Sequence, residues 1–353
     1  MDSYTLDRVY RSVIWGLQAG VAGSAVFFLA QLLGLLREFP PWPVFWTAVL
    51  VGAAATAFLD SLKISTKDKA VLVTGCDSGF GYDLCQHLHD LGFVVFAGCL
   101  LLEKNGSGAR NLQEKKLKNL HVIQLDITSD EQVARAVKYI TEHLPSEGLW
   151  GVVNNAGWTT VGHVEWVPIS TYEKIMNINV WGMLRAIKAV LPFIRKSQGR
   201  IVNVASALGR QCAINKSAYG ITKYGVEALS DCLRFEMRRF GVHVAIIEPG
   251  NFVNATKCYT EESIRKSAEE MWSQMDEEVR NAYTKEYFDS VANSKIKYST
   301  IGTTDKSPVV MSMADALLHR YPHPRYQPME PYFKLRTWVY THLPEWIYEK
   351  IRP

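Results

Sequence analysis

Hydrophobic positions follow one rule in the first sixty residues and another afterwards. From Ser12 to Leu36 no residue is charged, and the run is long enough to cross a bilayer. Arg37 and Glu38 interrupt it, and Phe39-Pro40-Pro41-Trp42-Pro43 reads as an aromatic turn at headgroup depth. A shorter, Ala-rich run from Val44 to Leu59 ends at Asp60. The pattern predicts a membrane anchor of one or two spans. A signal peptide would have a shorter apolar core and a small-residue cleavage site. A mitochondrial presequence would be Arg-rich and poor in acids, whereas Asp2 and Asp7 stand beside Arg8 and Arg11. Those arginines and Lys63, Lys67 and Lys69 place both ends of a two-span hairpin on the cytoplasmic side.

From Lys69 onward, short continuous apolar runs alternate with helical stretches. Strands are predicted at Ala70–Thr74, Phe93–Ala97, His121–Asp126, Gly151–Asn154, Arg200–Val204 and Val242–Ile247. Helices are predicted between them, through Leu84 and Leu88, over Ser129–His143, after Ser170, and over Ser217–Arg239. Strands apolar on both faces and separated by helices indicate an α/β fold, a doubly wound parallel sheet of Rossmann type. The expected divisions are an anchor at 1–60, a dinucleotide-binding domain at 61–310 with a substrate lid at about 251–300, and an extension at 311–353. In the lid, Ile264, Ala268, Met271, Met275, Val279, Tyr283 and Tyr287 recur at helical spacing, which suits core packing as well as a lid. The last residues interleave Tyr332, Phe333, Leu335, Trp338 and Trp346 with Lys334, Arg336 and Lys350, as an interfacial helix or a docked one would.

Composition narrows the function. Of 353 residues, 48% are hydrophobic and 11% aromatic, enough for a core and against general disorder. The net charge of +4 is small and dispersed, so no nucleic-acid partner is expected. Six cysteines without paired spacing read as thiols in a reducing compartment rather than as a disulfide frame or a metal site.

Two clusters carry chemistry. The first strand runs into Thr74-Gly75-Cys76-Asp77-Ser78-Gly79-Phe80-Gly81, a turn whose glycines let backbone approach a pyrophosphate at a helix N-terminus. Tyr219 and Lys223 lie four apart on a predicted helix and share a face, so the ammonium can favour an ionised phenol. Ser206 sits thirteen residues before Tyr219, just past a strand end, where ligand sites open in such sheets.

Together with Asn154-Asn155-Ala156-Gly157, Asn179 and Pro249-Gly250, these residues resemble, in order and spacing, the short-chain dehydrogenase/reductase family. The resemblance covers roughly residues 69–255 and implies an oxidoreductase acting on an alcohol or ketone with a nicotinamide cofactor. It implies that Tyr219 is the acid/base, that Ser206 binds the substrate oxygen, that Lys223 lowers the phenol pKa and holds the ribose, and that Asn179 holds a water beside Lys223. Thr74, Gly75, Asp77, Ser78, Gly79, Phe80, Gly81, Asp126, Asn154, Ala156, Gly157, Pro249 and Gly250 would line the cofactor site. Gly98-Cys99-Leu100-Leu101 at the second strand end offers neither acid nor Arg, but Asp77 would repel a 2′-phosphate, so NAD is expected over NADP. A homo-oligomer is expected.

A finer resemblance is to the branch holding 3-hydroxybutyrate dehydrogenase, retinol dehydrogenases and a membrane-anchored 17β-hydroxysteroid dehydrogenase. Lys216 matches the lysine that binds substrate carboxylate in bacterial hydroxybutyrate dehydrogenases, whereas their His and Gln are Leu208 and Thr159 here. The anchor favours a lipophilic alcohol such as a steroid or retinoid near membrane lipid, with a short hydroxy acid as the alternative. The first reading places the protein in the endoplasmic reticulum membrane facing the cytosol, the second in a mitochondrial membrane. A non-catalytic NAD-binding scaffold is the reading from another class.

Overall fold

The computed structural model describes residues 2–33, 40–256 and 258–351. The expected interruption at Arg37 and Glu38 lies outside them. Two helices precede the sheet, α1 (Ser3–Leu32) and α2 (Pro41–Ser61), both long and apolar enough to cross a membrane. The two pack through small residues. A Cβ on Gly16 would lie 2.7 Å from the Val49 carbonyl oxygen, and one on Gly20 2.6 Å from a Val49 methyl. A Cβ on Gly52 would meet Ala19 at 2.8 Å. Glycines spaced for one helix face let apolar helices approach closely, as helix pairs in lipid require.

The rest is a seven-stranded, wholly parallel sheet in the order β3-β2-β1-β4-β5-β6-β7. Its strands are β1 (Ala70–Thr74), β2 (Val94–Cys99), β3 (Leu120–Gln124), β4 (Leu149–Asn154), β5 (Arg200–Val204), β6 (His243–Ile247) and β7 (Arg325–Tyr326). The crossovers carry α3 (Gly79–Asp90), α4 (Ser107–Glu114), α5 (Asp130–Glu142), α6 (Ile169–Met176), α7 (Met183–Ser197) and α8 (Ser217–Met237). After β6 come α9 (Val253–Thr256), α10 (Glu261–Gln274), α11 (Glu277–Tyr283), α12 (Lys285–Ser299) and α13 (Ser307–Leu318), then β7, α14 (Pro331–His342) and α15 (Glu345–Ile351). One core lies on the α3 and α13 side, around Val71, Val73, Leu84, Met313 and Leu317. The other lies under α5, α7 and α8, around Leu72, Ile187, Ile201 and Ile246. Strand reversal about β1 and β4 opens a crevice at the carboxyl ends of the strands, where such folds bind ligands.

The structure adds to the sequence reading at three places. The division at 310/311 falls inside α13, whose Val309, Met313 and Leu317 are fully buried, and β7 follows as a sheet strand. The sheet domain therefore extends to Tyr326. The terminal segment docks on the protein: Lys334 and Thr337 of α14 are buried, and Gln211 donates to Thr337 Oγ1 at 3.2 Å. Finally, the anchor's lower ends are joined to the sheet domain. Asp7, 2% exposed, pairs with Arg11 and accepts from Lys334 Nζ at 2.5 Å. Tyr4 donates to Asp315 at 2.6 Å, and Asp60 meets His323 Nε2 at 2.6 Å. Of the basic residues read as membrane flanks in the sequence, Arg11 is buried in these connections.

Candidate active site

A cavity of ≈ 990 Å³ opens at the carboxyl ends of β1, β4, β5 and β6. Its floor is the turn between β1 and α3. Gly75 and Gly79 adopt φ of +72° and +63°, which glycine tolerates without strain. A Cβ on Gly75 would lie 2.7 Å from Ala156 Cα, and one on Gly81 2.4 Å from the Gly75 carbonyl oxygen. Gly81 thus serves helix–strand packing and does not line the cavity. Ser78, at the N-cap of α3, makes no side-chain cap bond, leaving first-turn N–H groups for an anion. Gly75, Asp77, Ser78, Gly79, Phe80, Asp126, Ala156, Gly157, Pro249 and Gly250 all line the cavity.

Thr74 and Asn154 do not. Thr74 Oγ1 accepts from the Asn155 and Ala156 amides at 3.1 and 3.0 Å, clamping the two strand ends together. Asn154, 2% exposed, donates to Asn203 Oδ1 at 2.8 Å inside the sheet, because strand alternation turns it away from the crevice. Its neighbour Asn155 lines the cavity and donates to the Thr74 and Gly75 carbonyls at 3.0 and 3.1 Å. The family motif carries both asparagines, and only the fold tells them apart.

Asp77 has a definite place. Its carboxylate accepts from the amides of Leu100 and Leu101 at 2.7 and 3.0 Å, so it stands at the end of β2. That is where an acidic residue reads a ribose 2′-hydroxyl in related folds. The charge expected from β2 itself is supplied by the glycine-rich turn. These features fit a dinucleotide: an open helix N-terminus, glycine backbone for close approach, and a carboxylate at the ribose position.

Ser206, Tyr219 and Lys223 converge on the cavity wall. Burial pushes the Tyr219 phenol up, and a hydrogen bond with Ser206 pulls it partly back. Lys223 Nζ stands 5.4 Å from the Tyr219 ring centroid and donates to the Val204 carbonyl at 2.8 Å. Burial lowers it to about 8, against the pull of Glu227. Burial, more than the lysine, sets the phenol here.

Asn179 is buried in a π-helical turn, Asn177–Gly182, an irregularity that often marks functional positions. Its amide donates to the Trp158 carbonyl at 2.9 Å and to Thr222 Oγ1 at 3.0 Å, and accepts from the Trp158 amide at 2.8 Å. It ties the segment after β4 to the residue before Lys223. It does not face the cavity, so it acts as a positioning residue.

Lys216 also lines the cavity, three residues before Tyr219. Burial lowers its amine to about 7, and its Nζ donates to the Tyr259 hydroxyl. Lys295, Phe333 and Arg336 line the same cavity, and sequence reasoning did not count them as site residues, nor Tyr259. They come from distant elements, and no local spacing announces them. The lid stripe packs on Trp166: Ala268, Met275 and Phe288 bury against it, with Met271, Trp272 and Val279 around them. Part of that cluster walls a second cavity of ≈ 90 Å³ beside the first.

This arrangement is that of a nicotinamide-dependent alcohol dehydrogenase built on a parallel sheet. The short chain dehydrogenase family model matches residues 69–265, and the chain belongs to that family. It is 47% identical to the mitochondrial D-beta-hydroxybutyrate dehydrogenase of Rattus norvegicus over 285 residues, 80% of this chain and 83% of that one. It is 39% identical to retinol dehydrogenase 7 of Mus musculus, over 74% of this chain and 80% of that one. A short chain dehydrogenase from Burkholderia cenocepacia, solved in complex with NADP, shares the fold with a TM-score of 0.60 at 18% identity, covering 82% of this chain and all of that one. The protein is an NAD(P)-dependent oxidoreductase acting on CH–OH donors.

Proposed function

We propose that the protein oxidises a 3-hydroxy acid with NAD, anchored to a membrane by α1 and α2. The observation that carries this is Lys216: an amine in the reaction cavity, on the segment that leads into Tyr219, with Lys295 close enough to act on it and Arg336 lining the same cavity. The carboxylates that line the cavity, Asp77 and Asp126, belong to its cofactor end among the described residues. A desolvated cationic end selects an anionic substrate. The likeness to the hydroxybutyrate enzyme, over most of both chains, agrees. This reading replaces the lipophilic one expected first.

A bound nicotinamide dinucleotide supplies the hydride acceptor. The chain does the rest. Ser206 donates to the substrate oxygen and Tyr219 takes its proton as the carbon is oxidised. Lys223 lowers the cost of the phenolate once its ammonium turns toward the ring. Asp77 at the ribose position supports NAD over NADP, because a carboxylate there repels a 2′-phosphate.

A lipophilic alcohol is the second reading, favoured by one observation: Tyr332, Leu335, Trp338 and Trp346 are exposed on the segment docked against the anchor's base. The compartment follows the substrate, a mitochondrial membrane for the hydroxy acid and the endoplasmic reticulum for the lipophilic alcohol. Full-length protein reconstituted in lipid vesicles, assayed with NAD against 3-hydroxybutyrate, retinol and a 17β-hydroxysteroid, tests the proposal. Turnover of the hydroxy acid is expected. Turnover of the neutral alcohols alone would reject it.

A further inference from the structure

Lys216 lines the cavity on a long, flexible stem and needs a partner to fix it. The structure supplies it from Tyr259, between α9 and α10, in the wall shared by the two cavities. Its hydroxyl accepts from Lys216 Nζ and lies 2.6 Å from Thr159 Oγ1 and 3.4 Å from the Thr160 carbonyl oxygen. Lys216 Nζ also sits 4.3 Å from the Tyr259 ring centroid, within cation–π range. Cys258 and Lys295 are the other titratable groups acting on this amine.

We infer that Tyr259, with Thr159, completes the carboxylate site by fixing Lys216, Tyr259 being a positioning residue. The inference rests on the hydroxy-acid reading above. A lysine on a flexible four-carbon stem is costly to order, and a substrate carboxylate must meet it at a set distance from Tyr219. Tyr259 holds the end of the stem by the hydrogen bond at its hydroxyl. One of the three ammonium donors is spent, and two remain for a carboxylate. The Tyr259 O–H donates to the Thr160 carbonyl, and its oxygen, with two lone pairs, accepts from both Lys216 Nζ and the Thr159 hydroxyl. Held through Tyr259 and Thr159, Lys216 therefore presents its two remaining donors to one anion.

The test uses the full-length enzyme in lipid vesicles and Tyr259→Phe, which keeps the ring and removes the acceptor. KM for 3-hydroxybutyrate should rise roughly tenfold, in line with loss of a hydrogen bond to a charged group. kcat should stay within about twofold, and KM for NAD should not change. Thr159→Val should shift KM for the acid in the same direction, and Thr159→Ser should retain it. An unchanged KM for the acid in Tyr259→Phe would overturn the inference while leaving the function standing. So would a parallel loss in kcat and NAD binding, which marks a merely structural role. A wild-type enzyme that does not oxidise 3-hydroxybutyrate would overturn the function and this inference together.

Discussion

The cofactor end and the substrate end of one cavity are built in different ways. The cofactor end comes from a single turn and neighbouring strand ends, and much of its contact surface is backbone: Gly75, Gly79 and the first turn of α3. The proposed substrate end draws on side chains scattered through the second half of the chain, Lys216, Tyr259, Lys295, Phe333 and Arg336, all of which line the cavity. Backbone sites tolerate only glycine at a few positions and so leave a fixed spacing in any sequence. Side-chain sites can be assembled from any loop the scaffold brings near, and their specificity can change without touching the fold.

The largest expected effect falls where the two ends meet. Tyr219→Phe removes the group that accepts the substrate proton. Turnover should fall by ~10²- to 10⁴-fold, while NAD affinity, measured by titration calorimetry, stays near the wild-type value. A loss below tenfold would mean that the shared acid/base has been misplaced.

The substrate end also depends on the anchor. α14 presents Phe333 and Arg336 to the cavity and, between them, sends Lys334 to the buried Asp7 of α1. Asp7→Asn strands two cations, Arg11 and Lys334, without their counter-charge. Removing one partner of a buried pair costs about 3–5 kcal/mol, so thermal unfolding in lipid should shift down by several degrees. Removing residues 1–60 altogether uncovers Asp315, His323 and Lys334. The truncated enzyme should therefore lose substrate affinity before it loses NAD binding. Equal activity of truncated and full-length enzyme toward the hydroxy acid would show the two ends to be independent of the anchor.

Smaller effects sharpen the contrast. Asp77→Asn should improve kcat/KM with NADP relative to NAD by roughly tenfold, since it removes a carboxylate from the 2′ position. The substrate constant should also respond to pH. Lys216, brought to about 7 by burial, is charged below that pH and increasingly neutral above it. KM for the hydroxy acid should stay flat below pH 7 and rise several-fold by pH 8, whereas KM for NAD should not follow. Initial-rate kinetics across pH 6–8 would check both, and the rise should vanish in Lys216→Ala.

The same asymmetry decides what the sequence could disclose. The sheet was legible because buried parallel strands write continuous apolar runs, and six of the seven were placed. The two-residue β7 left no run to see. The glycine turn, Ser206, Tyr219 and Lys223 were legible because each sits at a fixed offset from a strand or along one helix. Asn154 was misassigned because a motif gives residue types, while the pleat decides that Asn155 faces the cavity. The ties of Asp7 to Lys334 and of Asp60 to His323 could not be read from the sequence, since nothing local distinguishes a solvated charge from a buried tie. Tyr259 had no signal at all: its partners Lys216 and Thr159 are far from it in sequence.

The central claim is that the substrate end recognises a carboxylate through Lys216, and Lys216→Ala tests it most directly. A desolvated, charge-assisted hydrogen bond contributes about 1.5–3 kcal/mol. That is roughly a ten- to hundredfold change in kcat/KM. The account predicts a loss of that size with 3-hydroxybutyrate, with KM for NAD unaltered and any turnover of a neutral alcohol changed by no more than about twofold. Turnover of 3-hydroxybutyrate that is indifferent to Lys216→Ala would contradict it.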